Sequence, residues 1–432
     1  MSTATSLREE VTELLRELVR VDTVNPPGNE TRAAEVLRDY LSEHGVSCEL
    51  VARKPERANL VARLEGGDGP SLAFICHTDT VLADPEEWER DPWSGDLVEG
   101  EVWGRGALDM KGQVAAGAVA FASLCREGFR PAGDLVFAAT ADEEVGDGFG
   151  LQWLVREHPE LVRVDYAINE GGGERVELGG STYYLCGVAE KMSTAFRLRV
   201  RGRSGHASAP GIADNALVKA APYIGSLGSF RPRLTLIAEV ERFFEVTLGE
   251  VPRMQDALAR VRAELGPVAA EIVEPLLSAT LSPTMIEASR ARNVIPAVCD
   301  VTVDCRLLPG QLPEDVEPEI RAALGDGDWE LEWIERAGGT RSALDTSLWS
   351  ALDEFVAMLE PGARLLPMCN PGFTDSHYLR EAFGTTAYGF FPMRAMEYEL
   401  AARLEHSADE RVPVDDLELG VSALRHAALT VL

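Results

Sequence analysis

The segment Ala139-Thr-Ala-Asp-Glu-Glu-Val-Gly146 places two adjacent carboxylates, those of Glu143 and Glu144, directly after the apolar run Leu135-Val-Phe-Ala-Ala-Thr140. The apolar run predicts a buried strand. Ligands bind at strand ends in open α/β sheets, so one carboxylate could hold a metal ion there while its neighbour transfers a proton. An isolated Asp-Glu-Glu is more often a solvated acidic turn, and the metal interpretation therefore depends on the other segments of the chain.

Further donor groups follow or lie near other apolar segments in the first 170 residues. His77 and Asp79 come directly after a strand-like segment, and in an extended chain both project to the same side, so the carboxylate can orient the imidazole. Asp109 lies in a glycine-rich segment, and Glu170 ends another predicted strand. Together with Glu144, this histidine and these two acids supply nitrogen and oxygen donors of the kind that suits zinc, cobalt or manganese.

The composition argues against several classes of function. The chain has 432 residues and a net charge of −30, which is unfavourable for binding to nucleic acid or to an anionic membrane. Its seven cysteines are scattered and form no Cys-x-x-Cys pair, so we expect neither a disulfide framework nor a zinc–thiolate site. The amino terminus has no apolar signal-peptide core, and no run of eighteen apolar residues occurs. We therefore expect a cytoplasmic protein.

The order of predicted elements divides the chain into two domains, as its length also suggests. Residues 1–191 and 309–432 alternate predicted helices and strands, which is typical of an α/β domain, and the first helix ends near Asn25-Pro-Pro-Gly28. Residues 192–308 begin with an alternating apolar and basic strand and continue with a helix, a long partly helical stretch at 238–278 and further strands. We therefore predict a small α+β domain inserted between two halves of the α/β domain.

Eight short motifs occur along the chain in a fixed order. They are His77-x-Asp79, Gly106-Ala-Leu-Asp109-Met-Lys-Gly112, Asp142-Glu143-Glu144, Glu170, Gly205-His206-Ala-Ser-x-Pro210, Asn293-Val-Ile-Pro296, Arg306 and His406-x-x-x-Glu410. In this order they resemble the motifs of the M20 family of metallopeptidases and amidohydrolases, and the resemblance covers nearly the whole chain. It implies an α/β fold in which a mixed-sheet di-metal hydrolase domain carries an inserted α+β, ferredoxin-like lid domain.

The resemblance also implies two divalent metal ions, usually zinc, with cobalt or manganese as alternatives. Asp109 would bridge the two ions. His77 and Glu170 would complete one site, and Glu144 and His406 would complete the other. We therefore expect these five side chains to converge, although they span about 330 residues of sequence.

Three further side chains receive catalytic roles from the resemblance. Asp79 would orient His77. Glu143 would act as the general base toward a water molecule whose pKa the two ions lower. His206, in the lid domain, would donate a hydrogen bond to the developing oxyanion, although taken alone it would indicate only a turn histidine.

Four residues receive substrate-binding roles in the same way. Asn293 and Arg306 of the lid domain would contact the substrate, and the forked guanidinium of Arg306 matches a free α-carboxylate. Taken alone, Arg306 would indicate only a surface ion pair. Gly372 and Thr374 would also contact the substrate, and they lie in a loop that departs from the paired glycines usual in the family. The lid domain could also join two copies of the chain in a homodimer.

These implications define the predicted function. In the family, a glutamate at the position of Glu170 occurs mostly in carboxypeptidases and deacylases, whereas aspartate occurs in aminopeptidases. We therefore predict a hydrolase that cleaves an amide bond next to a free carboxylate, in an N-acyl amino acid or a dipeptide. One alternative is an N-carbamoyl-amino acid amidase of the same fold. Another is a catalytically silent protein that binds a small molecule, but this alternative predicts a lost ligand or base, and none is missing from the sequence.

Overall fold

The computed structural model describes residues 6–334 and 337–432, which form two compact units. The first unit comprises the chain up to Val188 together with Ser342–Met368 and Thr374–Leu432. The second comprises Ala189–Arg341 and Cys369–Phe373. No helix in the described ranges is both long and apolar enough to cross a membrane.

The α-helices of the described residues are, in chain order, α1 (Leu7–Val19), α2 (Thr31–Glu43), α3 (Lys111–Arg126), α4 (Leu151–Glu157), α5 (Pro159–Val162), α6 (Ala216–Ser229), α7 (Ala238–Leu248), α8 (Met254–Glu264), α9 (Pro267–Val273), α10 (Pro313–Leu324), α11 (Ser347–Leu359), α12 (Ser376–Phe383), α13 (Tyr398–Leu404) and α14 (Val414–Val431). Short 3₁₀ turns occur at Pro85–Glu87, Pro210–Ile212 and Glu274–Leu276.

The strands are β1 (Cys48–Ala52), β2 (Ala58–Leu64), β3 (Leu72–His77), β4 (Asp96–Val98), β5 (Glu101–Trp103), β6 (Leu135–Thr140), β7 (Tyr166–Asn169), β8 (Arg175–Leu178), β9 (Ser181–Glu190), β10 (Met192–Ser193), β11 (Phe196–Arg201), β12 (Gly205–His206), β13 (Thr280–Glu287), β14 (Val294–Ile295), β15 (Val298–Leu307), β16 (Trp329–Trp333), β17 (Arg364–Asn370), β18 (Thr386–Gly389) and β19 (Arg411–Pro413). The divisions between the two units fall within β9 and β17.

A nine-stranded mixed sheet organises the first unit, in the order β1-β2-β6-β3-β7-β18-β9-β17 with β8 paired to β9. Its centre is parallel, because β3 pairs in parallel with β6 and β7, and β7 pairs in parallel with β18. The pairs β1–β2, β2–β6 and β9–β18 are antiparallel. Strands β3 and β6 are buried along their whole length, which explains their continuous apolar sequences. The prediction of an α/β fold built on a mixed sheet is confirmed.

The register of this sheet brings the predicted site segments to one edge. His77 at the end of β3 lies opposite Thr140 at the end of β6, and Phe74 lies opposite Ile168 in β7. Because parallel strands end at the same edge, the residues that follow β3, β6 and β7 leave the sheet together. These following residues include Asp79, the Asp142–Glu144 turn and Glu170.

The second unit contains a four-stranded antiparallel sheet in the order β13-β15-β11-β16, with the short β10 added beside β15. Along the chain its main elements run β11-α6-β13-β15-α10-β16, which is the βαββαβ order of a ferredoxin-like fold. Helices α7 to α9 are inserted between α6 and β13. One apolar core joins the buried faces of β11 and β15 to α6 and α10. The predicted ferredoxin-like architecture is therefore present.

The second unit extends to Arg341, beyond the boundary at residue 308 that the sequence suggested. Strand β16 causes part of this difference, because it pairs antiparallel with β11 from Val200–Trp329 to Phe196–Trp333. Helix α10 causes the rest, because its apolar face, which includes Ile320, packs into the same core. The alternation Trp329-Glu-Leu-Glu-Trp333 is the sequence signal for this last strand.

Candidate metal centre

The first group of possible metal ligands forms around His77, at the buried end of β3. Its Nε2 atom lies 3.3 Å from Oδ1 of Asp109 and 3.6 Å from Oε2 of Glu170. The donor atoms of these three residues all lie within 4.8 Å of one another. Among the described residues, neither His77 Nε2 nor Asp109 Oδ1 has a hydrogen-bond partner, although both atoms are buried. Buried donors that converge without partners fit a metal ion.

A second group forms around His406, which follows α13. Its Nε2 atom lies 3.0 Å from Oδ2 of Asp109 and 3.3 Å from Oε2 of Glu144. The other oxygen of Glu144, Oε1, is buried and has no hydrogen-bond partner in the described part of the chain. Glu405 also places a carboxylate oxygen within 4.8 Å of donor atoms of Asp109 and His406.

Asp109 connects the two groups, because Oδ1 faces His77 and Oδ2 faces His406. A carboxylate that offers one oxygen to each of two donor groups has the arrangement needed to bridge two ions. Imidazole nitrogens and carboxylate oxygens suit zinc, cobalt and manganese. The residues present therefore fit a pair of divalent cations, and the structure brings together all five side chains that the sequence predicted to converge.

Asp79 lies on the other side of the His77 ring and is fully buried. Its Oδ1 atom is 3.4 Å from Nδ1 of His77, and its backbone oxygen is 3.1 Å from the same nitrogen. The two carboxylate oxygens also accept hydrogen bonds from the backbone N–H groups of Glu143 and Glu144, at 3.1 and 3.2 Å. Asp79 is therefore placed both to orient the imidazole and to hold the Glu143–Glu144 turn.

Glu410 holds the segment that carries Asp109. Its buried carboxylate accepts hydrogen bonds from the backbone N–H groups of Gly106, Leu108 and Asp109, at 2.9, 2.8 and 2.9 Å. It also accepts one from the Arg105 guanidinium at 2.7 Å. The motif His406-x-x-x-Glu410 thus supplies a possible ligand and, four residues later, an anchor for the segment that carries Asp109. The Asp109–Met110 peptide bond is cis.

The centre concentrates negative charge in a buried place. Burial raises the pKa of Glu170 to about 8, despite the opposing effect of His77. Burial and the negative charge of Glu170 hold the pKa of Glu143 well above its usual range. Hydrogen bonds to the carboxylates of Asp109 and Glu144 raise the pKa of His406 to about 10. Bound divalent cations would compensate the negative charge of these buried carboxylates.

The predicted lid residues all lie in the second unit. His206 is in β12, which pairs antiparallel with β14, and its Nδ1 atom is 2.7 Å from the hydroxyl of Ser208. The backbone oxygen of Asn293, just before β14, accepts a hydrogen bond from the N–H of Ala207 at 2.9 Å, so the His206 and Asn293 segments are neighbours. Arg306 is on β15, where its Nε donates to Asp304 at 2.9 Å. The catalytic and substrate-binding roles of these residues stay predictions.

The two predicted residues of the loop before α12 are divided between the units. Gly372 belongs to the second unit and Thr374 to the first. The Thr374 hydroxyl accepts a hydrogen bond from the side-chain amide of Asn169 at 3.1 Å and another from the backbone N–H of Ser376 at 3.2 Å. These contacts fix the start of α12, and the substrate-binding roles of both residues stay predictions.

Two residues near the centre carry no recognisable signal in the sequence. Glu405 would have been found only by its position beside His406. Asn25 belongs to a segment that predicts the end of a helix, but its side chain hydrogen-bonds Asp79. The hydrogen bond from Asn25 to Asp79 and the approach of Glu405 to Asp109 both depend on how distant segments pack, so neither follows from spacing along the chain.

Comparison with known proteins shows which family the chain resembles. The profile of peptidase family M20/M25/M40 matches residues 73–430. A succinyl-diaminopimelate desuccinylase from Rhodospirillum centenum is 28% identical over 418 residues, covering 94% of this chain and 92% of the relative. Aminoacylase-1 from Sus scrofa is 27% identical over 411 residues, covering 92% and 89%.

Solved structures show the same fold. The crystal structure of an M20 family metallo-carboxypeptidase from Sulfolobus solfataricus superposes with a TM-score of 0.76 at 18% identity, covering 98% of this chain and 99% of that one. The family profile covers most of the chain, including every residue of both ligand groups. The chain therefore belongs to peptidase family M20/M25/M40 and is a hydrolase of amide or peptide bonds.

Proposed function

We propose that the protein hydrolyses an amide bond next to a free carboxylate, in an N-acyl amino acid or a dipeptide, with two divalent ions as cofactors. Family membership supports the reaction class, and a solved structure of similar fold, from Bacillus subtilis, is named as a dinuclear metal-binding peptidase of the M20 family. The observation that carries the proposal is the position of Asp109, whose two oxygens face the two groups of possible ligands. Zinc is the metal we propose, with cobalt or manganese as alternatives.

The substrate class is supported by the names of the relatives and by Glu170. Two relatives are named as a desuccinylase and an aminoacylase, and the structural relative is named as a carboxypeptidase. A succinyl group, another acyl group and the C-terminal residue of a peptide are all joined through an amide bond. The glutamate at position 170, whose carboxylate is 3.6 Å from His77, also favours a deacylase or carboxypeptidase.

The metal ligands we propose are His77 and Glu170 for one ion, Glu144 and His406 for the other, and Asp109 for both. When bound, the ions lower the pKa of a water molecule and polarise the amide carbonyl. Asp79 holds His77 in the orientation that aims Nε2 at the other donors.

Glu143 is the proposed general base. It adjoins Glu144, and its backbone is fixed to Asp79. Its carboxylate accepts the proton of the attacking water and returns that proton to the leaving nitrogen, so no net proton is gained or lost at this side chain. His206 and Asn293 are proposed to contact the reacting carbonyl and the substrate, and Arg306 to bind its α-carboxylate.

A hydrolysis screen with matched substrates tests this function. The protein is stripped with a chelator, reloaded with zinc, cobalt or manganese, and assayed on N-acetyl amino acids, dipeptides and N-carbamoyl amino acids, each beside its C-terminal amide. We expect metal-dependent release of the amine from the free acids and much slower release from the amides. Glu143→Gln, loaded with the same metals, is the control for contaminating hydrolases.

Three outcomes would change the proposal. Equal hydrolysis of acids and amides would indicate a general amidase. Faster hydrolysis of carbamoyl than of acyl substrates would favour the N-carbamoyl amidase. A metal content of one ion per chain that His406→Ala leaves unchanged would show that Glu144 and His406 do not bind a second ion.

A further inference from the structure

A buried polar network adjoins Asp79 and begins in the Asn25-Pro-Pro-Gly28 segment. The side-chain amide of Asn25 donates one hydrogen bond to Oδ2 of Asp79 at 2.9 Å and another to Oδ1 of Asp142 at 3.0 Å. All three side chains are at most 4% exposed. The reversed amide would direct its oxygen at two carboxylates, so electrostatic repulsion fixes the orientation in which the NH₂ group joins them.

Arg57 holds the same Asp142 carboxylate from a second direction. Its guanidinium donates a hydrogen bond to Oδ1 of Asp142 at 3.1 Å and forms a bidentate ion pair with Glu30 at 2.6 and 2.7 Å. The guanidinium also lies over the ring of Phe149, 4.8 Å from its centroid, and the backbone N–H of Phe149 donates to Oδ2 of Asp142 at 2.9 Å. Both oxygens of Asp142 are therefore held.

Gly28 makes room for this arrangement. Its φ is +74°, in the left-handed region, and a Cβ atom at this position would lie 2.2 Å from Nε of Arg57. The Asn25-Pro-Pro-Gly28 segment thus contributes both the amide that joins the two carboxylates and the space that the guanidinium occupies.

The two carboxylates joined by Asn25 are also the ones that shape the metal centre. Asp79 faces Nδ1 of His77 and accepts the backbone N–H groups of Glu143 and Glu144. Asp142 begins that same turn with a left-handed φ of +65°. Any shift of Asp142 relative to Asp79 therefore moves the Glu143–Glu144 turn relative to His77.

We propose that Asn25 and Arg57 are positioning residues of the metal centre, which keep the Asp79 and Asp142 carboxylates at a fixed separation. In this role they set the direction of Glu143 and Glu144 without touching metal or substrate. The inference rests on the ligand and base roles proposed above for His77, Glu144 and Glu143.

Three substitutions test the positioning role, beside one matched control. Asn25→Leu keeps the branched shape of the side chain and removes both amide hydrogen bonds. Asn25→Ser keeps one donor, and Arg57→Lys keeps the charge but loses the forked guanidinium. Arg63→Met is the control, because Arg63 lies in β2 and its hydrogen-bond partners, Asp134 and the carbonyls of residues 160 and 161, are outside the network.

The measurements are zinc affinity of the stripped full-length protein, by competition with a chromophoric chelator, its melting temperature without metal, and kcat and KM at saturating zinc. We expect Asn25→Leu to weaken the affinity for at least one ion or to lower kcat by about 10- to 100-fold, the usual effect of removing a partner of a metal ligand. KM should change little. Asn25→Ser and Arg57→Lys should fall between Asn25→Leu and the wild type, and Arg63→Met should change only the melting temperature.

The results distinguish failure of this inference from failure of the ligand assignment. Fewer than two zinc ions on the wild-type chain would overturn the ligand assignment and the positioning role with it. Two ions on the wild type, with affinity and kcat in the Asn25 and Arg57 variants within about twofold of the Arg63→Met control, would overturn the positioning role alone. If none of the three variants folds while the control does, the network serves the fold and the inference is also overturned.

Discussion

Replacing Glu410 with glutamine should destabilise the metal-free protein by about 3 to 5 kcal/mol. Four donors converge on the Glu410 carboxylate, namely the guanidinium of Arg105 and the backbone N–H groups of Gly106, Leu108 and Asp109. Each carboxylate oxygen accepts two of them. Glutamine has nearly the same volume, but only one of its two terminal atoms can accept a hydrogen bond.

The magnitude follows from the donors that lose their acceptor. In either orientation of the amide, an NH₂ group faces two of the four donors, whose hydrogen bonds to Glu410 are buried or partly buried. A buried donor left without a partner costs about 1 to 3 kcal/mol, and more when it is charged. Two such donors give about 2 to 6 kcal/mol. Breaking a buried ion pair by removing one partner costs about 3 to 5 kcal/mol, and the side chains of Arg105 and Glu410 are only 3% and 1% exposed.

Chemical denaturation of the chelated protein, followed by circular dichroism, measures the effect. The matched control is Glu360→Gln. It disrupts a bidentate ion pair with Arg175, in which both N–O distances are 2.8 Å. Those side chains are 26% and 28% exposed, so we expect a loss of about 1 kcal/mol or less. Because Glu410 also anchors Asp109, zinc affinity should fall in Glu410→Gln and remain unchanged in Glu360→Gln. Equal destabilisation by the two substitutions would refute the role assigned to Glu410.

Three further predictions concern the base, the substrate and pH. Glu143→Gln should retain both ions and lower kcat by about 10² to 10⁴, and loss of metal in this variant would contradict its assignment as the general base. Arg306→Ala should raise KM for an N-acyl amino acid but not for its amide, because the substrate carries its carboxylate in both the ground state and the transition state. If the ratio of the two KM values is the same in wild type and in Arg306→Ala, Arg306 does not bind the α-carboxylate. Burial lowers the pKa of Lys191 from 10.5 to about 8. Between these pH values the unfolded chain binds more protons than the folded protein, so stability rises with pH. The melting temperature of the metal-free protein should therefore rise with pH relative to that of Lys191→Met. A constant difference between the two proteins from pH 8 to pH 10 would show that this lysine is not desolvated.

Local sequence patterns were sufficient for the strands that carry the site. The apolar runs before His77 and Glu143 predicted buried strands, and β3 and β6 are buried at every position. The reason is that a strand covered on both faces must be apolar throughout, so its sequence records its burial directly. The motifs that resemble those of the M20 family then indicated the five converging side chains.

Patterns that depend on weaker or distant signals were less informative. The strand Trp329–Trp333 alternates apolar and acidic residues over only five positions, and it joins a strand that lies about 130 residues earlier in the sequence. Its membership in the second unit is decided by pairing with β11 and by packing of α10. The boundary of the inserted domain therefore could not be set from local periodicity.

The sequence alone indicated most of the buried strands and helices, because burial and periodicity are properties of short segments. Through its resemblance to the M20 family it also indicated the candidate metal ligands and the class of reaction. Tertiary structure alone decided how Asp109 divides its oxygens between His77 and His406 and how Glu410 anchors it. It also decided that the amide of Asn25 joins Asp79 to Asp142. These contacts connect residues 32 to 301 positions apart, from His77 with Asp109 to Asp109 with Glu410. Parallel strands bring His77, Asp79 and Asp142 to one edge of the sheet, and packed loops bring Asn25, Asp109, His406 and Glu410 to them, a meeting that no local pattern encodes.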